Sequence, residues 1–203
     1  YDETMKHQHA DNPPEHRARP LNQGDTFCFS CRMCGACCRD DRFIVLTPQD
    51  LFQLTRHVNL SCRSFLDSYC DVLLESGLNG VPVVSLRTPG GVCMFHKDNL
   101  CTAHAARPAC CRNYPVGTVH DPGGGMRHEL MAPATGCRGF GRGPARTVNA
   151  WWRTQDMNRL QAGMELSALA ARAVQRKLTS GQKKRLFQIL FDFENKQIPS
   201  KEQ

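Results

Sequence analysis

The twelve residues from Cys28 to Arg39 read CFSCRMCGACCR, and they hold five of the twelve cysteines in this chain of 203 residues. Gaps of two residues allow successive thiolates to converge on one metal centre while the backbone wraps around it. Gly35 lies within the run and relieves the steric limit on such a tight turn. The run therefore predicts thiolate-bound zinc or an iron–sulfur cluster, which organises the fold between about Cys28 and Cys137.

Two further cysteine-containing stretches follow: residues 93–101 read CMFHKDNLC and residues 107–115 read RPACCRNYP, before Cys137. Together with the first run they resemble the YkgJ-type cysteine-cluster proteins, a family of zinc- or iron-chelating CxxCxxCC domains. In that family a CxxCGxCC run precedes a threonine-headed helix, a Cys-Phe-like step, a second cysteine and an Arg-Pro-x-x-Cys-Arg-x-aromatic-Pro motif. Each of these features has a counterpart between about residues 27 and 143.

The resemblance implies eight metal ligands, which are Cys31, Cys34, Cys37, Cys38, Cys93, Cys101, Cys111 and Cys137. Cys28 is a further candidate, because the spacing from Cys28 to Cys38 is that of a bacterial ferredoxin run, with Arg39 where ferredoxins have proline. Eight thiolates suit two four-coordinate centres, or one cluster and one zinc ion. Since the adjacent Cys37 and Cys38 project in divergent directions, we expect two nearby metal centres.

The remaining polar and thiol side chains of this region have other expected roles. Cys62 and Cys70 fall in a predicted helix and are expected to be buried apolar side chains rather than ligands. His96 and His104 are alternative nitrogen ligands, close to the cysteines in sequence. Hydrogen-bond donors that offset the negative charge of the thiolates are expected from Arg39, Arg107, Arg112 and Tyr114.

A disulfide framework is the alternative explanation of so many cysteines. Cys28 and Cys38, and likewise Cys101 and Cys111, have the Cys-x9-Cys spacing of helical hairpins in the mitochondrial intermembrane space. However, the first pair encloses three more cysteines and a glycine, and the second encloses Pro108, which disfavours a helical ladder. Metal thiolates in a reducing compartment are therefore favoured, with the mitochondrial matrix preferred to the cytoplasm. No run of 18 apolar residues is present, so we expect no membrane partner.

The pattern of helix and strand signals predicts a small, loop-rich α+β domain over residues 25–145. Helices are predicted from Thr47 to about Val58 and from Ser61 to Leu74, and short strands over Val81–Arg87 and Met126–Met131. Residues 1–24 are polar, include His7, His9 and His16, and are expected to form a disordered or extended arm that adds nothing to the core.

Residues 146–203 are predicted to form a basic helical extension. Apolar residues recur at three-to-four-residue steps from Val148 to Leu178, which indicates a long amphipathic helix. Gly181 is expected to interrupt it before a shorter helix with Leu186, Ile189, Leu190 and Phe193 on one side. The most direct interpretation of these apolar stripes is packing on the metal domain.

Charge divides unevenly along the chain, whose net charge is +7. Residues 138–203 hold 13 Lys and Arg against 5 Asp and Glu, whereas residues 1–137 hold 13 against 14. A basic segment of this kind favours an anionic partner such as RNA, although a solvated face is an equal interpretation.

We therefore expect a metal-stabilised structural subunit or assembly factor of a larger protein or ribonucleoprotein complex, for example the mitochondrial ribosome. No catalytic triad or acid pair is apparent, which favours a protein without catalytic residues. The alternative is an enzyme with iron–sulfur redox chemistry or methyl transfer from S-adenosylmethionine, because the flagellin lysine methylases carry a similar cysteine cluster. The glycines at 139, 141 and 143 do not follow a clear strand and are not expected to bind a nucleotide.

Overall fold

The computed structural model describes residues 18–40, 42–74, 82–120, 126–155, 165 and 178–191. These residues form a loop-rich mixture of short helices and small antiparallel sheets, as predicted. The strands are β1 Arg19–Leu21, β2 Phe27–Phe29, β3 Ile44–Leu46, β4 Cys70–Leu73, β5 Val83–Leu86, β6 His96–Lys97, β7 Leu100–Cys101, β8 Val116–His120, β9 Met126–Leu130 and β10 Phe140–Arg146. The helices are α1 Pro48–Val58, α2 Cys62–Tyr69, α3 Ala109–Asn113, α4 Val148–Trp152 and α5 Ser180–Phe191.

Helix α1 confirms the first predicted helix, because its start is encoded locally. The Thr47 hydroxyl accepts a hydrogen bond from the backbone N–H of Asp50, whose carboxylate accepts one from the N–H of Thr47, a complete capping box. Pro48 occupies the first helical position, and Asn59 ends the helix in the left-handed conformation.

The second predicted helix is too long, because Cys70–Leu73 forms strand β4 instead of continuing α2 beyond Tyr69. Strand β5 lies at the centre of a three-stranded antiparallel sheet and pairs with both β3 and β4. Its own four residues are all buried. The gain from pairing β4 with this buried strand is a tertiary effect that local helix periodicity cannot reveal.

Two hydrophobic cores lie on either side of the first cysteine run. The first core is formed by the β3–β5–β4 sheet, α1, α2 and the loop around Phe95, and its members include Leu46, Leu51, Phe65 and Val84. The second is aromatic and includes Phe27, Phe29, Tyr114 and Trp151. Phe29 makes edge-to-face contacts with Tyr114, Phe140 and Trp151, at centroid distances of 5.4, 5.4 and 5.6 Å.

Gly139 and Gly143 approach Phe29 and Ser30 closely, whereas a Cβ at Gly141 would meet no other atom within 4 Å. These glycines belong to or adjoin β10, which pairs with β2 across an irregular register. A Cβ at Gly139 would lie 2.5 Å from Phe29 Cε2, so only glycine allows this approach.

Strand β1 pairs with β9, and Leu21 is only 7% exposed. The expectation that residues before 25 add nothing to the core is therefore wrong at Leu21, whose strand places an apolar side chain inside.

The C-terminal extension is described only in part. Helix α4 begins where the long helix was predicted, at Val148, but it ends at Trp152. Residues 153–155 form a turn closed by hydrogen bonds such as that from the Thr154 N–H to the Trp151 carbonyl, so the prediction of one continuous helix from Val148 is wrong. Of the remaining predicted stretch, Glu165 is helical, Leu178 is not, and the other residues lie outside the described part. Helix α5 begins at Ser180, so Gly181 lies in its first turn rather than before it.

Helix α5 packs on the first core through Phe187, Leu190 and Phe191, which confirms the predicted packing for this helix. The predicted buried side is displaced, because Ile189 is 52% exposed while Phe191 is only 1% exposed. Phe193 lies outside the described residues.

Candidate metal centre

The first cysteine run and the second cysteine-containing stretch meet at Gly35. This residue has φ +65°, and a Cβ there would lie 2.7 Å from the Asn99 carbonyl oxygen and 2.9 Å from His96 Nε2. The backbone N–H of Cys93 donates to the Cys38 carbonyl over 2.8 Å. Stretches 55 residues apart are thus joined by backbone contacts, as a shared metal site would require.

The adjacent Cys37 and Cys38 face different cores. Both lie in the short 3₁₀ helix Ala36–Arg39. Cys38 packs against the first core, together with Cys101 and Cys111, whereas Cys37 packs against the aromatic core, together with Cys137. This arrangement agrees with the expected divergence of adjacent side chains.

Cys37, Cys38 and Cys101 nevertheless form a chain of hydrogen-bonded thiols. Hydrogen bonds from the Cys38 thiol lower the pKa of Cys37 to about 6 and that of Cys101 to about 7. The same two hydrogen bonds, to Cys101 and Cys37, raise the pKa of Cys38, which keeps its proton. Cys37 and Cys101 therefore ionise more readily than Cys38, and the thiolate is the form that binds metals.

Cys93 and Cys111 lie beside this chain. Cys93 is buried in the first core, and burial is the main cause that raises its pKa. A hydrogen bond with Cys110 and burial raise the pKa of Cys111, which is partly buried. Both also feel the charge of Cys37, which places them in the same group of thiols. We refer to Cys37, Cys38, Cys93, Cys101 and Cys111 as the central thiol group.

Cys34 and Cys137 form a hydrogen-bonded pair near Tyr114, and this pair lies close to Cys37, whose charge Cys34 also feels. Burial raises the pKa of Cys34, but hydrogen bonds from the backbone of Arg138 and Ala36 and with the Cys137 thiol lower it overall. The Tyr114 hydroxyl accepts a hydrogen bond from the Ala134 N–H over 3.2 Å. Burial raises the pKa of Tyr114, and the negative charge of Cys137 adds to this.

The other cysteines are placed differently. Cys28 lies on the opposite side of β2 from the buried Phe27 and Phe29, and Cys31 is exposed. The ferredoxin-like spacing from Cys28 to Cys38 therefore does not correspond to one cluster in space. Cys62 and Cys70 are buried in the first core, as predicted, although Cys70 lies in a strand.

The positive charges of Arg42 and Arg107 lie near the central thiol group, and each lowers the pKa of Cys37. Arg107 was an expected donor, but Arg42 was not, since nothing distinguishes it in the charged stretch after Arg39. Arg42 lies 4.6 Å from the Tyr114 ring centroid and donates to Asp40 over 2.6 Å. Arg112 instead donates to the carbonyl oxygens of residues 105 and 107 and braces the loop before α3.

Asp50 is a second residue that the sequence did not single out for the site. Besides capping α1, its fully buried carboxylate accepts a hydrogen bond of 3.0 Å from the backbone N–H of Ala109. Ala109 is the first residue of α3, which carries Cys111. One carboxylate therefore fixes both α1 and the helix that positions a candidate ligand.

The donor set fits a soft metal in its chemistry. Thiolates are preferred ligands of zinc and of iron–sulfur clusters, and the central thiol group alone offers five sulfurs. Across the described ranges, however, no three His, Cys, Asp or Glu side chains are already grouped as ligands of one ion. The thiols form a hydrogen-bonded chain and do not surround a single point, so metal ligation would require their side chains to rotate.

Comparison with known proteins agrees with this chemistry. Residues 30–138, more than half of the chain, match the model of the CxxCxxCC family, whose description is "Putative zinc- or iron-chelating domain". The chain belongs to this family. The matched region of the CxxCxxCC domain contains both thiol groups and almost all of the first core, whereas most buried residues of the second core lie outside it. No curated protein and no solved structure matches the chain.

Two further observations concern the state of the CxxCxxCC domain. All twelve cysteines are free thiols in the structure. Among the described residues, no helix has both the length and the apolar character that crossing a bilayer demands.

Proposed function

We propose that this chain binds zinc or an iron–sulfur cluster through its cysteine thiolates and that the bound metal stabilises the domain. The observation that carries this proposal is the convergence of Cys37 and Cys38 with Cys101, from separate stretches, in a hydrogen-bonded chain of thiols. Two of these sulfurs have pKa values near or below neutral pH, so little proton competition opposes metal binding there.

Two centres are proposed because the thiols fall into the central thiol group and the hydrogen-bonded pair Cys34 and Cys137, with Cys37 close to both. One would use the central thiol group and the other would use Cys34 and Cys137. The ligand set proposed is that implied by the family motif, in which Cys31 completes the list and Cys28 is the least supported member because of its orientation on β2. Since Cys31 is exposed, it could reach the second centre only from the solvent side.

Elemental analysis of protein purified without oxygen tests this proposal. We expect zinc, or iron with acid-labile sulfide, at one or two centres per chain. An absorption band in the visible range would identify an iron–sulfur cluster, whereas a colourless protein with stoichiometric zinc would identify a zinc site. Protein that carries no metal and takes up none after reduction would contradict the proposal.

The biological role proposed for the domain is that of a structural subunit or assembly factor in a larger complex, with a mitochondrial ribonucleoprotein as the specific hypothesis. Support comes from helix α5, where Phe187, Leu190 and Phe191 face the core. This packing leaves Lys184 and Arg185 exposed for an anionic partner such as RNA. The reducing mitochondrial matrix is the compartment proposed for a protein with so many thiolates.

An iron–sulfur redox enzyme is the second candidate. The observation that favours it is the lowered pKa of Cys37, about 6, beside Cys38 and two guanidinium groups, which is typical of reactive thiols. A reversible one-electron reduction of the anaerobically purified protein would support this candidate. A spectroscopically silent zinc protein would exclude it.

A further inference from the structure

His96 lies on the same side of a hairpin as Cys101. Strands β6 and β7 place His96 directly opposite Cys101 in the antiparallel register. Asp98 and Asn99 form the turn, with φ values of +50° and +60°, the backbone of a tight two-residue hairpin connection. Directly opposed residues have neighbouring side chains on one side of the ladder. The His96 side chain therefore lies on the same side of the hairpin as the thiol of Cys101, a member of the central thiol group.

The Nε2 atom of His96 is buried and has no hydrogen-bond partner within the described part of the chain. It lies 2.9 Å from where a Cβ of Gly35 would be, at the middle of the first cysteine run. A buried nitrogen without a hydrogen-bond partner destabilises the folded state. A metal ion would satisfy this nitrogen, since neutral imidazole is a common ligand of zinc and iron.

The second histidine of this region has a different environment. His104 Nε2 lies against the guanidinium of Arg107. Burial and the positive charges of Arg107 and Arg112 lower the pKa of His104. A metal cation at that nitrogen would be repelled by the neighbouring arginine. The two histidines are therefore not equivalent, although their sequence positions suggest that they could be.

We propose that His96 supplies a nitrogen ligand, through Nε2, to the metal centre formed by Cys38 and Cys101. This centre would then have mixed sulfur and nitrogen ligation rather than thiolates alone. Gly35 makes this possible, since any side chain there would occupy the space that Nε2 and the Asn99 carbonyl now share. The inference rests on the proposed metal binding and adds a ligand to it.

Titration with Co²⁺, which replaces zinc and reports its ligands by colour, tests the assignment on the full-length reduced protein. We expect His96→Gln to weaken Co²⁺ binding at this centre by at least tenfold and to alter its d–d bands. His96→Cys should restore binding and raise the intensity of the sulfur-to-cobalt charge-transfer band, because one more Co–S bond forms. His104→Gln is the matched control and should bind Co²⁺ as the wild type does.

Each outcome distinguishes this inference from the proposed function. If the wild type takes up no Co²⁺, metal binding fails and the ligand assignment fails with it. If the wild type binds Co²⁺ and His96→Gln has the same affinity and spectrum, His96 is not a ligand and metal binding stands. If His96→Gln does not fold, as circular dichroism would show, His96→Cys decides: an unchanged charge-transfer intensity overturns the assignment.

Discussion

Replacing different cysteines of this domain by serine should have different effects on its metal content. Cys34 and Cys111 are candidate ligands in the two thiol groups, so we expect Cys34→Ser and Cys111→Ser each to lose metal. Cys62 is buried in the first core, and its Sγ donates to the Phe191 carbonyl over 3.1 Å. A serine hydroxyl can make that bond, so Cys62→Ser should keep its metal and lose only about 1 kcal/mol of packing.

Metal content per chain of the three purified variants is the measurement. The free energy of unfolding of Cys62→Ser, from urea titration, is the accompanying control. Equal metal content in all three proteins would contradict the ligand assignment. A Cys62→Ser protein without metal would show that this thiol belongs to a centre after all.

Cys70 should make the stability of the domain depend on alkaline pH. Burial raises the pKa of this thiol to about 12 from its usual value of 9.0. Because the folded state holds the proton more tightly, its contribution to stability is complete below pH 9 and is lost as pH rises towards 12. By pH 11 the loss is about 2–3 kcal/mol, since each pH unit between the two pKa values costs about 1.4 kcal/mol.

Urea titrations between pH 8 and pH 11 would measure this effect. Cys70→Ala should be less stable than the wild type at pH 8, because the packing of the sulfur is lost, but its stability should fall less steeply with pH. Parallel curves for the two proteins would mean that the Cys70 thiol ionises in the folded state as easily as in the unfolded one.

The elements of this fold differ in how far their ends are encoded locally. Helix α1 could be predicted almost to the residue, because Thr47, Pro48 and Asp50 specify its start without any tertiary contact. The end of α2 could not, since Cys70–Leu73 becomes a strand only through pairing with β5. Ile189 was assigned to the buried side of α5 because it shares a helical spacing with Leu186 and Leu190, whereas the structure buries the face that carries Phe187, Leu190 and Phe191.

Asp50 links two helices, and its replacement should therefore cost more than the loss of one helix cap. In Asp50→Ala the backbone N–H groups of Thr47 and Ala109 both lose their acceptor. We expect a loss of about 3 kcal/mol in the free energy of unfolding, since each buried unpaired group costs about 1–3 kcal/mol. The matched control is Thr47→Ala, which removes only the other half of the capping box and should cost about 1 kcal/mol.

The same pair of variants tests the link between α3 and the metal centre. Since Ala109 begins the helix that carries Cys111, Asp50→Ala should also bind metal more weakly than Thr47→Ala. Urea denaturation followed by circular dichroism gives the stabilities, and competition with a chelator gives the affinities. Equal losses in both variants would mean that the Asp50–Ala109 hydrogen bond contributes nothing to the site.

For the molecule as a whole, metal should account for much of the folding free energy. Many of its strands are only two to four residues long, and thiols lie at the edges of both cores. Structural zinc is worth on the order of 10 kcal/mol in small domains. We therefore expect removal of metal by a chelator under reducing conditions to unfold the middle of the chain. Unchanged circular dichroism and thermal transition after complete removal would contradict this.

The basic C-terminal segment should bind RNA in a salt-dependent way. Replacing Lys183, Lys184 and Arg185 with Glu should weaken binding to a structured RNA without loss of metal, measured by fluorescence anisotropy. Binding of the wild type should weaken as salt rises, because each phosphate contact releases counterions. The slope of log affinity against log salt should fall in magnitude by about 2–3 in the triple variant.

A pair of single variants controls for the change in net charge. Lys184 and Lys97 are both exposed lysines, but Lys97 lies on the β6–β7 hairpin, far in sequence from the basic segment. Lys184→Glu should weaken RNA binding and Lys97→Glu should not. Equal effects, or binding that is indifferent to salt, would make the basic end an ordinary solvated surface.

The sequence was sufficient to predict the zinc- or iron-chelating family but not the grouping of the thiols. Spacing identified the first run, and the divergence of Cys37 and Cys38 followed from their adjacency. The sequence could not show that the Cys34 thiol is hydrogen-bonded to Cys137 and the Cys38 thiol to Cys101, because these contacts depend on how two separate cores pack. Arg42 had no sequence signal at all, since its role depends on the Tyr114 ring beneath it.

The close contact between Gly35 and the turn at Asn99 also bears on how relatives of this domain could be recombined. A donor run that carried every cysteine but a bulkier residue at position 35 would collide with the Asn99 carbonyl of its new host. The exchangeable unit is therefore the whole block from Cys31 to Cys101 rather than either cysteine run. In a library of chimeras, crossovers between residues 39 and 93 should be the ones depleted among soluble products.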